Sequence, residues 1–162
     1  MGEANTSPII FMTTKNYKFL IFYLGTGLLI PQIFSYAAKG GTGSISFFLG
    51  VVSIATALMA LNAKRLTGKH LPRIALLLLC ASAFFIHYSF GQIVFSVLDA
   101  LCIIYIQAEV AKQEGGSLIG RFGNLTFLAS IANAVSIFAG GLMSEQTALV
   151  TSLFLLLVYL IL

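Results

Sequence analysis

Apolar runs, each close to the length of a membrane crossing and each closed by a short polar or glycine-rich break, divide the chain into six segments covering 17–38, 45–63, 74–88, 93–108, 125–143 and 148–162. A helix needs about 20 predominantly apolar residues to cross the hydrocarbon of a bilayer, and the first, second and fifth runs reach that length. The third and fourth are near the lower limit and also fit a buried hairpin that does not fully cross. Backbone facing lipid must satisfy its own hydrogen bonds, so every one of these runs is predicted to be helical. The pattern predicts an all-α fold, a polytopic membrane helical bundle of about six transmembrane helices. It forms a single transmembrane domain over 1–162, with a short N-terminal tail at 1–14. Lys15 and Lys18 precede the first run and no Ala-x-Ala site follows it, which predicts a retained helix and not a cleaved signal.

Composition strengthens that expectation. Hydrophobic residues make up 59% of the 162 positions and charged residues 9%, against roughly a quarter charged in a soluble domain. The net charge of +4 does not indicate nucleic acid, because the basic residues sit in the breaks between apolar runs. Lys15, Lys18, Lys64, Arg65, Lys69, Arg73, Lys112 and Arg121 fall on one side of a six-span chain, and only Lys39 falls on the other. The positive-inside rule then predicts both termini in the cytoplasm. The expected location is a bacterial inner or plasma membrane, with the lipid bilayer as the main partner.

Polar residues inside the runs are few. Asp99 is the one acidic residue squarely within a span, where an insertion cost of about 2.5–3.5 kcal/mol demands pairing, protonation or a water-filled cavity. It is the leading candidate for a substrate or proton site, and the alternative is a tie between two helices. It is expected to face the first helix near Gln32 and Tyr36. Asn133, mid-way along the fifth run, and Gln107, near the end of the fourth, complete the candidate set. Asn133 also fits interhelical glue, and Gln107 and Glu109 fit a solvated helix end. His87 fits an interfacial anchor. Small residues at Gly25, Gly27, Gly50, Gly140 and Gly141 are expected to let helix backbones approach closely. Cys80 and Cys102 lie within apolar runs and are expected to act as small hydrophobes. The histidines, His70 and His87, fall on opposite predicted sides. With no phosphate loop, nucleophile elbow, HExxH or CxxC in the chain, no enzyme, metal site or cofactor is predicted.

The fifth run resembles the N-terminal half of the major facilitator superfamily of transporters. Gly123, Ala132, Ser136, Ile137, Gly140 and Gly141 stand at the spacing of that family's fifth-helix motif, G-x8-G-x3-G-P-x2-G-G, with Ile137 in place of the proline. The basic loop between the second and third runs keeps Gly68-Lys69-His70, while Arg65 and Leu66 stand where the family has an Asp-Arg pair. Ser96 and Ala100 replace an arginine and glycine of its fourth helix. Pro31-Gln32, Lys39 and Gly43-Ser44-Ile45-Ser46 are also similar to the PQ-loop proteins, which include carriers of the SWEET type. A second copy at Ile106-Gln107 and Gly116-Ser117 lacks the proline.

The facilitator resemblance implies transport of a small solute by a half unit. Such families enclose a midplane site between two repeats, so a half unit is expected to pair as a homodimer or as a hetero-oligomer with another membrane protein. A PQ-loop-type carrier, or a non-transporting accessory or immunity protein, is the alternative.

Overall fold

The computed structural model describes residues 14–62, 70–112 and 117–162. The tail through residue 13, the basic stretch at 63–69 and residues 113–116 lie outside the described residues. So do the facilitator-like loop residues Gly68 and Lys69, and Gly116 of the second PQ-like copy. Within the described residues the chain is helical throughout: α1 Thr14–Gly27, α2 Ile30–Lys39, α3 Thr42–Leu61, α4 Leu71–Ala83, α5 Ser89–Ala111, α6 Leu118–Leu142 and α7 Glu145–Ile161.

The first run is not one helix but two. Pro31 has no N–H to continue the ladder from α1, and the chain tightens at Leu29 N–H to Thr26 O before Ile33 N–H to Leu29 O restarts it. The two helices still act as one apolar segment, Tyr17–Lys39. Gly41 then turns the chain at φ 84°, a left-handed conformation that a side chain disfavours.

Helix lengths depart from expectation on either side of residues 84–92. The third run was expected to be helical to residue 88, but α4 ends at Ala83. Tight bonds carry the chain round a turn: Phe85 N–H to Ser82 O, then Tyr88 N–H to Phe85 O. The stretch 89–92, expected as a loop, is instead the first turn of α5. Gly91 makes this possible, because a Cβ there would collide with the Phe85 carbonyl. The Gln92 amide donates to Ile86 O at 2.9 Å, satisfying a carbonyl that the turn exposes. α6 begins seven residues earlier than expected, because Ser117 caps its N-terminus through Gly120 N–H at 3.0 Å. Ser144 caps α7 in the same way through Thr147 N–H.

Among the described residues, four segments are long and apolar enough to cross a membrane: Tyr17–Lys39, Gly43–Leu61, Ser89–Ala111 and Leu118–Leu142. Helices α4 and α7, with 13 and 17 residues, span about 20 and 25 Å at the usual helical rise, short of a hydrocarbon core of about 30 Å.

Helix α1 lies at the centre, packed against α6 and α7. Helix α4 packs on α5, which also contacts α3 and α6, and α2 bridges α3 and α6. Phe19, Phe22, Leu29, Leu79, Ile86, Phe95, Ile106 and Leu156 form the enclosed core. Phe47, Ile54, Leu58, Phe138, Val150 and Phe154 instead stand exposed on the outer surface, and α3 is almost wholly exposed. An apolar exterior of this extent suits lipid as solvent.

Candidate functional site

Where lipid is the solvent, helices gain little from hiding apolar surface from one another, and close packing has to hold them together. Along the α1–α6 contact, three small positions supply it. A Cβ on Gly27 would fall into the Ser136 hydroxyl, and one on Gly140 into the Leu28 carbonyl oxygen. Ala132 is buried on the same face of α6, one turn before Ser136. On the other side of α1, Gly25 lies against Leu156 of α7, with its Cβ position 3.2 Å from that side chain. Gly50, Gly123 and Gly141 were expected to share this role. The space where a Cβ would stand is open at all three, because they fall on the outward sides of α3 and α6.

Asp99 stands on α5, facing α1 at Thr26. The residue is half-buried as a whole, but its Oδ1 is enclosed and has no hydrogen-bond partner among the described residues. The hydroxyl of Thr26 on α1, itself buried, lies near the carboxylate. Tyr23 and Cys102 lie within its electrostatic reach. A Ser152 hydroxyl on α7 is likewise enclosed without a partner. It sits one turn from Leu156, on the face that meets α1.

The other expected site residues do not converge on Asp99. Gln32 donates from Nε2 to the Gly140 carbonyl at 3.1 Å, tying α2 to α6. Asn133 is half-buried on α6 beside Gly27, and its carbonyl accepts from Ser136 at 3.2 Å. Gln107 is exposed on α5. Tyr36 donates to Glu145 Oε2 at the far end of the bundle. Asp99 therefore meets the first segment at Thr26, not at Gln32 and Tyr36. The break at residues 28 and 29 lies between the two places.

Two polar clusters close the ends of the bundle. At one end, Lys18 Nζ meets Glu109 Oε1 at 2.7 Å, joining the start of α1 to the end of α5. At the other end, Glu145 accepts from Tyr36 and pairs with His87 Nδ1 at 2.9 Å. The Tyr36 ring stands edge-on to His87 with centroids 5.1 Å apart, and Lys39 Nζ lies 4.4 Å above it. Along the first segment Thr26 is about 12 Å from Lys18 and about 15 Å from Tyr36, at 1.5 Å per residue. The enclosed carboxylate thus sits between two tied ends. Thr26, Ser152, His87 and Glu145 were not anticipated as members of this set. An unplaced carboxylate near a span boundary, Glu145, was the available signal.

Compared with protein-family models, with curated proteins and with solved structures, the chain gives no match.

Proposed function

We propose that this chain is a membrane transport unit for a small polar solute, a facilitator-like half that pairs to complete its pathway, with Asp99 as the group that binds the solute or carries a proton. One observation carries the proposal: a carboxylate mid-way along the bundle, beside the buried Thr26 hydroxyl, with an enclosed oxygen that has no partner among the described residues. A carboxylate kept only to tie two helices gains most when both oxygens are satisfied, and an unsatisfied buried oxygen costs about 1–3 kcal/mol. Ionisable groups inside membrane segments mark solute and proton paths by default.

The two end clusters support six crossings. Lys18 and Glu109 share one end, and Tyr36, His87 and Glu145 share the other, as they do when the six runs alternate in direction. In that topology the excess of lysine and arginine puts both termini in the cytoplasm. Polar ties at both ends of α1, each exchangeable with water, are suited to opening in alternation around a fixed site.

The proposal is tested by reconstituting the protein into liposomes that contain a pH-sensitive dye and presenting a panel of neutral and charged sugars, amino acids and small organic ions. The expected result is proton flux that depends on one class of solute. Flux no greater than in protein-free liposomes across the panel contradicts it and favours the accessory-protein alternative, in which the Thr26–Asp99 contact is only a helix tie.

A further inference from the structure

We infer that the pocket between the starts of α1 and α4 and the ends of α5 and α7 is a binding site for the phosphate headgroup of an anionic lipid. The pocket has a volume of about 220 Å³, and Lys18, Arg73, Tyr105, Glu109 and Tyr159 line it above an apolar floor that includes Leu76. Sites for whole drug-sized solutes run from about 300 to 1,000 Å³, so this one suits a headgroup and not a larger molecule. Its charge balance selects an anion. Lys18 and Glu109 neutralise each other at 2.7 Å. The other ion pair among the described residues is His87–Glu145, at the opposite end. Arg73 is an exposed cation on the same lining, and among the described residues it makes no ion pair. Its guanidinium presents a planar fork of donors that matches phosphate oxygens.

Placement separates a lipid from a soluble anion. Lys18 marks the start of the apolar segment Tyr17–Lys39, so the pocket opens at the level where headgroups meet hydrocarbon. Its leucine floor continues into the surface that acyl chains would cover. Basic pockets between membrane helices on the cytoplasmic side hold anionic headgroups in this way, with each cation near the surface contributing about 1 kcal/mol. The inference rests on the proposed orientation but not on transport.

The test is native mass spectrometry of the full chain released from phosphatidylcholine nanodiscs containing a minor fraction of phosphatidylglycerol. Wild type should retain phosphatidylglycerol in preference to phosphatidylcholine. Arg73→Gln should weaken that retention about fivefold, the loss of one such cation. Lys112→Gln, an exposed cation at the same end but outside the pocket, should leave it unchanged. Equal losses in the two variants, or no preference in wild type, would overturn the site. In a parallel arm, inorganic phosphate is added to lipid-free protein in detergent. Stabilisation by phosphate with no preference for phosphatidylglycerol would assign the pocket to a soluble anion and overturn the lipid assignment.

Discussion

The backbone of Gly140 in α6 lies directly against the carbonyl oxygen of Leu28, at the break between α1 and α2. The Gly140 carbonyl in turn accepts from Gln32, the residue after Pro31. A helix that gives up part of its ladder at a proline has its freed groups covered by a neighbouring helix, which is how such breaks persist within a membrane.

Because that contact leaves no room for a side chain, Gly140→Ala should destabilise the protein by about 1–3 kcal/mol, the usual cost of overpacking. Gly141→Ala, where the Cβ position is open, should stay within about 0.5 kcal/mol of wild type. Thermal unfolding in detergent compares the two. Equal behaviour would mean that Gly140 is not at a tight crossing.

The two polar ends should differ in strength. Lys18–Glu109 is a single ion pair whose side chains are 24% and 47% exposed, a class worth about 0.2–1 kcal/mol. Glu145 holds two partners, Tyr36 and His87, and hydrogen bonds to charged groups contribute about 1.5–3 kcal/mol each. Glu145→Gln should therefore lower thermal stability more than Glu109→Gln. The reverse order would contradict the geometry of the Tyr36–Glu145–His87 cluster.

The membrane class was legible from run length together with the 9% of charged residues, far below the roughly one quarter of a typical soluble domain. Boundaries were less so. Residues 74–86 are apolar except for Ser82, and nothing in their pattern marks the end of α4 at Ala83. The turn becomes visible only when Gly91 is seen against Phe85. Asp99 stood out as the one acid within a span, yet its partner did not. Which turn of α1 faces α5 depends on how Gly25, Gly27 and Gly140 set the helix contacts, and composition does not say which glycines face a neighbour. Gly123 and Gly141 share the fifth-run spacing with Gly140, yet they face outward, as Gly50 of α3 does. The Glu145 cluster draws on residues 36, 87 and 145, which meet only after the fold forms.

The proposed orientation rests on the excess of lysine and arginine at one end and can be tested by labelling. In a background with Cys80 and Cys102 replaced by alanine, Lys39→Cys and Gln146→Cys should react with a membrane-impermeant thiol reagent added outside intact cells. Lys112→Cys should react only after lysis. Labelling of Lys112→Cys in intact cells, or protection of Lys39→Cys, would overturn the six-crossing, N-in orientation.

The central claim is that the Asp99 carboxyl does chemistry and does not merely join α1 to α5. Solute-dependent proton flux into liposomes tests it most directly, measured for wild type, Asp99→Asn and Thr26→Val with folding checked by thermal unfolding. Asp99→Asn keeps shape and hydrogen-bonding capacity but cannot titrate, so flux should fall to the protein-free level while thermal stability holds. Thr26→Val removes the hydroxyl beside the carboxylate and should alter the flux without abolishing it. Flux in Asp99→Asn equal to wild type would contradict the claim and leave the residue as a helix tie.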